Sequence, residues 1–294
     1  MILLFGAQGQ LGQALLAAAA AEEIDVTGPA EEAVDITDAK AVGETMAHLR
    51  PDLVINAAAY TDVDRAESDV EMAWRVNAVG PQLIAEGAAR AGVPVIHIST
   101  DYVFDGTKTG AYREDDPVAP ISVYGKSKAA GEAAVRRATR RHLILRTAWL
   151  HGPYGRNFAK TVIRLATDRD ELRIVADQFG SPTSAADLAL AILRVAPRLL
   201  TAEDRFGTFH LAGDGATSWF GFAESIVDEL AKITGHRPNV TPIATAEYPT
   251  AARRPQNSVL DSTGFAEAFG IRLGRWQGSV GTTVTAILTA EAVA

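Results

Sequence analysis

The chain has 294 residues, 47% of them hydrophobic and 22% charged, with a formal net charge of −8. That is enough chain for a large core or for two lobes sharing one, and the acidic balance argues against a nucleic-acid partner. No cysteine is present, which excludes disulfides, a thiol nucleophile and cysteine-bound metal.

Residues 2–5, Ile-Leu-Leu-Phe, read as a short buried strand, and Gly6-Ala7-Gln8-Gly9-Gln10-Leu11-Gly12 follows at once. Residues 13–23 are alanine-rich and helix-forming. Strand, glycine turn and helix together are the context of a dinucleotide site. The first glycine allows the tight turn, the second lets a pyrophosphate approach, and the third lets helix and strand pack closely. The helix N-terminus then offers free N–H groups to the phosphates. The spacing is G-x-x-G-x-x-G, one residue longer at its start than the commonest fingerprint.

Further apolar runs at 24–27, 53–55, 93–98 and 143–146 alternate with helical patterns at 39–49, 67–91 and 124–138. Strands joined through helices predict an α/β fold, a doubly wound parallel sheet of Rossmann type covered on both faces. In such a sheet the loops after the strands converge on one ligand crevice. These are the glycine loop, Ala57 to Thr61, and Ser99-Thr100-Asp101. After about residue 150 the loops lengthen and shorter helices are expected at 158–167 and 184–194. The expected division is 1–150 for dinucleotide binding and 151–294 for a smaller substrate lobe, partly interleaved with the main sheet. No apolar run approaches the roughly 20 residues of a membrane span. The first strand has no basic leader before it, so a cytoplasmic protein without membrane contact is expected.

The chemistry concentrates in Val123-Tyr-Gly-Lys-Ser-Lys128. A tyrosine and a lysine four apart share one helix face. The ammonium of Lys128 is expected to stabilise the Tyr124 phenolate and draw its pKa from about 10 toward neutrality. Thr100, at the end of an apolar run, offers a hydroxyl to the same substrate oxygen. The three suggest a proton relay of the kind that accompanies hydride transfer. His97 reads as a satisfied core histidine and Asn77 as a buried group bonding to backbone. The remaining histidines lack metal-ligand spacing, so no metal site is read.

The glycine loop, Asn56-Ala-Ala-Ala-Tyr-Thr61, Ser99-Thr-Asp-Tyr-Val-Phe104 and Tyr124-Gly-Lys-Ser-Lys128 resemble the extended short-chain dehydrogenases/reductases. Arg146-Thr-Ala-Trp149, Asn157-Phe-Ala-Lys-Thr161, Asp177-Gln-Phe-Gly-Ser-Pro-Thr183 and Arg254-Pro-Gln-Asn-Ser258 narrow the resemblance to the dTDP-4-dehydrorhamnose reductase family over nearly the whole length. That resemblance implies reduction of the C4 keto group of a dTDP-sugar by NADH or NADPH, with Tyr124, Lys128 and Thr100 catalytic. It implies cofactor contacts at Gly6, Gly9, Gln10, Leu11, Gly12, Asp35, Ile36, Ala57, Ala58, Ala59, Tyr60, Thr61 and Ser99, besides Tyr124 and Lys128. Substrate contacts are implied at Thr100, Asp101, Tyr102, Trp149, Asn157, Lys160 and Arg254.

Cofactor choice leans to NADH: no arginine or lysine lies from Gly28 to Ala39, and Glu31-Glu32 would repel a 2′-phosphate. Some family members build a magnesium-linked dimer from carboxylates. The matching positions here are Ala14 and Ala185-Ala186, so no magnesium requirement carries over, and monomer and homodimer both stay open. Two alternatives remain: another nucleotide-sugar reductase or epimerase, and a non-catalytic dinucleotide-binding subunit similar to the regulatory subunit of methionine adenosyltransferase.

Overall fold

A computed structural model describes residues 1–201 and 205–293. The strands are β1 Ile2–Phe5, β2 Val26–Thr27, β3 Leu53–Asn56, β4 Val95–Thr100, β5 His142–Thr147, β6 Leu150–His151, β7 Glu171–Val175, β8 Phe179–Gly180, β9 Thr183–Ser184, β10 Gly207–His210, β11 Thr217–Ser218 and β12 Asn239–Ile243. The α-helices are α1 Gln10–Ala21, α2 Ala39–Leu49, α3 Val70–Trp74, α4 Gly80–Ala91, α5 Val123–Ala138, α6 Phe158–Asp168, α7 Ala185–Thr201, α8 Trp219–Thr234, α9 Thr263–Phe269 and α10 Gln277–Val293.

Six strands form one parallel sheet in the order β10-β5-β4-β3-β1-β2. The chain runs outward from β1 to β2, then crosses back to place β3 on the other side of β1. The order therefore reverses between β1 and β3, where a doubly wound sheet opens its ligand crevice. Leu4, Ile55, Ile96 and Leu145 face α1 and α7, whereas Leu3, Val54, Val95 and Ile144 face the helices α2, α4 and α5. Burial on both faces explains why these strands read as continuous apolar runs. A second core joins α6, α8 and α10 with β7 and β12. Between the two, Val103, Phe104, Tyr112, Ala148, Ala212 and Leu260 form a small bridging cluster.

Two departures from the sequence reading have local causes. Helix α1 begins at Gln10, not 13, so Gly12 lies inside its first turn. The helix expected over 67–91 is broken: α3 passes into a π-helical turn, Arg75–Val79, before α4. Pro81 lacks an N–H and its ring crowds the carbonyl four residues back, that of Asn77, so the α-ladder cannot run through. The later half also interleaves with the main sheet, where β10 pairs with β5 at the edge.

Candidate active site

The glycine loop packs by close backbone contact, with the Gln13 side-chain amide donating to the Gln8 carbonyl at 2.7 Å. Gly6 has φ +82 and its Cα faces Ala57–Ala58 so closely that a Cβ would stand 2.4 Å from the Ala58 nitrogen. A Cβ on Gly12 would stand 2.1 Å from the Gly6 carbonyl oxygen. Gly9 has no such neighbour, its nearest contact being the Gly6 oxygen at 3.3 Å, and no side chain caps α1. The first-turn N–H groups are thus left for a ligand, with the positive end of the helix dipole behind them. The Gln10 side-chain amide nitrogen is buried without a partner. These features fit a dinucleotide pyrophosphate.

Around it, the Ala57 N–H donates to Phe5 and the Ala58 N–H to the Asn56 side chain, which also meets His97 at 3.2 Å. The Tyr60 N–H donates to Asn77, whose amide returns a bond to the Tyr60 carbonyl and another to Ser127. Asn77, displayed by the π turn, therefore ties the loop after β3 to helix α5, a backbone-bonding role as expected. His97 is fully buried, and burial together with Lys128 holds its pKa well below the usual imidazole value. Ala59 is half-buried and Thr61 exposed beside them. Leu11 and Ile36 are buried in the core, whereas Asp35 is exposed and caps the Thr37 N–H.

Thr100 ends β4 and caps the short helical turn that follows, its Oγ1 accepting from the Tyr102 N–H at 3.1 Å and donating to Asp101 Oδ1 at 3.0 Å. Helix α5 starts at the Ser122 cap and brings Tyr124 against Thr100 and edge-on to Tyr102, ring centroids 5.9 Å apart. One turn on, the buried Lys128 donates to the Ile98 carbonyl at 2.7 Å. Burial lowers its pKa to about 8, against the pull of Glu132.

The phenol departs from the sequence expectation. Burial, with the Asp101 carboxylate adding to it, pushes Tyr124 up to about 12, opposed by the nearby Thr100 hydroxyl. The lysine reaches a strand carbonyl here and leaves the phenol to its apolar surroundings. At neutral pH Tyr124 therefore keeps its proton and has one to give to a more basic oxygen. Asp101 is buried with Oδ2 unpartnered; burial raises it to about 6, against the nearby Ser258 and Thr100 hydroxyls.

Below this group lies a charged cluster that the sequence reading did not single out. Glu132 is fully buried and accepts from Ser99 Oγ at 2.6 Å, from Arg146 Nε and Nη2 at 2.8 Å each, and from Arg136. Burial would raise its pKa, but Arg146, Ser99 and Arg136 together hold it below the usual carboxylate range. Ser99, expected at the cofactor, thus has its hydroxyl committed to Glu132. An acid one turn past Lys128, on a face of small residues, was the available signal.

Past β5, Trp149 has φ +46 and stacks flat on Trp219 with ring centroids 3.4 Å apart. Arg254 grips Asp64 in a two-pronged pair, Nη2 to Oδ2 at 2.7 Å and Nη1 to Oδ1 at 3.1 Å. Asp64 also accepts the Ala252 N–H, which fixes the 249–257 loop beside Tyr102. Asn157 caps α6 and donates to Gly152 and Tyr154, so both ends of its amide hold backbone. The Lys160 ammonium reaches the Pro153 carbonyl at 3.3 Å.

A family model described as the RmlD substrate binding domain matches residues 1–289. The dTDP-4-dehydrorhamnose reductase of Sinorhizobium fredii is 45% identical over 285 residues, 96% of each chain. Its Escherichia coli counterpart is 40% identical, covering 99% of each. Among solved structures, a dTDP-4-dehydrorhamnose reductase from Clostridium acetobutylicum superposes with a TM-score of 0.90 at 38% identity, over 97% of this chain and 98% of that one. One from Bacillus anthracis, in complex with NADP, gives 0.89 at 36%, with the same coverage.

Proposed function

The chain belongs to the family of the RmlD substrate binding domain, and on that footing we propose that it is an NAD(P)H-dependent dTDP-4-dehydrorhamnose reductase. It would convert the C4 keto group of dTDP-4-dehydro-L-rhamnose to the alcohol of dTDP-L-rhamnose. The observation that carries the reading is the cluster of Thr100, Tyr124 and Lys128 on β4 and α5, beside an open glycine loop at the strand-order reversal.

A bound reduced nicotinamide supplies the hydride. Gly6, Gly9 and Gly12 admit the pyrophosphate, and Gln10 and the Ala57–Tyr60 loop line the dinucleotide. Tyr124 gives its phenolic proton to the oxygen of the forming alkoxide, and Thr100 orients that oxygen. Lys128, bonded to the Ile98 carbonyl one turn along α5, is the cation that turns to the phenolate once the proton has left. Asp101, Tyr102 and Trp149 face the sugar, and Asn157, Lys160 and Arg254 shape the nucleotide end. In this reading residues 1–150 bind the dinucleotide and 151–294 mainly the sugar nucleotide.

Between NADH and NADPH the reading leans to NADH. Gln8 of the glycine loop accepts the Glu31 N–H at 2.9 Å and donates to the Glu32 carboxylate at 3.3 Å, tethering two acids near the adenosine side. Arg75, which donates to Thr37 at 2.9 Å, is the cation there that favours a 2′-phosphate. The proposal includes a cytoplasmic enzyme, monomer or homodimer, without a magnesium requirement. Among the described residues no helix is long and apolar enough to cross a membrane.

The test is to mix the protein with freshly generated dTDP-4-dehydro-L-rhamnose and NADH or NADPH, with and without magnesium, and follow reduced-nicotinamide absorbance. Substrate-dependent oxidation is expected. A folded, dinucleotide-binding protein that oxidises neither cofactor would refute the activity.

A further inference from the structure

The hydroxyl of Thr100 has one proton and two lone pairs. One lone pair accepts the Tyr102 N–H at 3.1 Å, and the proton goes to Asp101 Oδ1 at 3.0 Å. The same hydroxyl lies against the Tyr124 phenol, the other group to which it could donate. A single proton therefore has two claimants. While Asp101 is ionised, it is an acceptor only, and the proton is drawn away from the reacting oxygen. Once Asp101 carries a proton on Oδ1 it can donate to Thr100, and the Thr100 proton is released to turn toward Tyr124.

We propose that Asp101 is a positioning residue that sets, by gaining or losing its own proton, whether the Thr100 hydroxyl points at Asp101 or at Tyr124 and the substrate oxygen. The inference rests on the reductase reading above and adds to it a controller of the Thr100 donor. The only bond made or broken at Asp101 is an O–H bond exchanged with solvent.

Burial places the carboxyl where this exchange occurs near neutral pH. Its surroundings leave it as the group that changes. Tyr124 on α5 and its own neighbour Tyr102 have pKa values raised far above neutrality, and both stay protonated. Ser258 approaches from the C-terminal loop and does not titrate. Beyond Tyr102, Asp64 is lowered and Arg254 raised by their mutual pair, so both stay charged. Lys128 on α5 titrates higher, at about 8.

The experiment is the pH profile of kcat for the wild type and Asp101→Asn, from pH 5 to 9. The wild type should lose turnover as pH rises through about 6, toward a plateau roughly 10²-fold lower, the effect of losing one donor to a developing oxyanion. An asparagine fixes its bond to Thr100 at every pH, so this limb should vanish in the variant while the Lys128 limb remains. A wild type without the limb, or a variant that keeps it, overturns the proposal.

Carbon-13 NMR of aspartate-labelled protein gives a second arm that needs neither turnover nor a folded Asp101→Asn. Replacing Thr100 by Val removes a donor to the carboxylate and should raise the Asp101 midpoint by about one pH unit. An unmoved midpoint overturns the proposal as well. A wild type that oxidises no reduced nicotinamide would instead refute the reductase reading, and the NMR arm would still decide the Asp101–Thr100 coupling.

Discussion

Replacing Glu132 by Gln probes the scaffold on which Thr100 rests. Its carboxylate is fully buried and receives Ser99, two bonds from Arg146 and the Arg136 guanidinium, while Arg146 is itself only 2% exposed. A glutamine keeps one acceptor oxygen but turns an NH2 group toward a guanidinium and leaves Arg146 buried without counter-charge. Removing one partner of such a pair costs about 3–5 kcal/mol. Arg136 has a side chain 38% exposed and adds little of its own. Against a total stability of roughly 5–15 kcal/mol, that is a large fraction.

The pH dependence fixes the sign. Glu132 is held below the usual carboxylate range, so its contribution is complete above the unfolded-state value of about 4.3 and disappears as pH falls through the lower folded-state value. Urea unfolding of wild type and Glu132→Gln should therefore differ by about 3–5 kcal/mol at pH 7, with the gap closing progressively below about pH 4. A gap under about 1 kcal/mol at pH 7, or one that persists unchanged in acid, would refute the buried-pair argument.

Tyr124→Phe should lower kcat by roughly 10²–10⁴-fold while leaving dinucleotide affinity near that of the wild type, as read by calorimetry; near-normal turnover would remove Tyr124 as the acid. Gly12→Ala puts a methyl 2.1 Å from the Gly6 carbonyl oxygen, so the loop must move. A loss of about 1–3 kcal/mol in unfolding and weakened dinucleotide binding are expected, and unchanged binding would argue against the loop assignment. Asp101 has a folded-state pKa raised from 3.8 to about 6, so the native state holds its proton more tightly and wild-type stability falls as pH rises across that window. Asp101→Asn should gain on the wild type by up to about 3 kcal/mol between pH 4 and 7; a constant difference in urea unfolding would show that the carboxylate pays no burial penalty.

The residues of the proposed relay could be picked out because local geometry displays them. The glycine loop joins one strand to one helix, Thr100 ends a strand, and Tyr124 and Lys128 share a helix face, so short-range rules sufficed. The phenol pKa was misjudged because helix spacing says which side chains are neighbours but not how dry the site is, nor that Lys128 would reach the Ile98 carbonyl. The Asp64–Arg254 pair joins positions 190 residues apart, and no pattern in either loop announces the other. The broken helix at Asn77 was marked by Pro81, a local signal that a long apolar periodicity obscured. The late strand β10 is four residues long and pairs with β5 from the far half of the chain, which only tertiary contact can specify.

That strand has a bearing on how the protein comes off the ribosome. Residues 207–210 are the last to join the main sheet, so about two-thirds of the 294-residue chain must be made before β5 acquires its outer neighbour. Until then β5 offers a bare row of N–H and C=O groups, a template for pairing with another nascent chain. Arg146 in that strand also waits, because His210 at the end of β10 supplies the ring nitrogen 3.4 Å from its guanidinium. Fragments that stop before residue 207 keep this open edge. The first half of the chain, which holds the glycine loop, is thus protected from self-association by a segment of the half that comes after it.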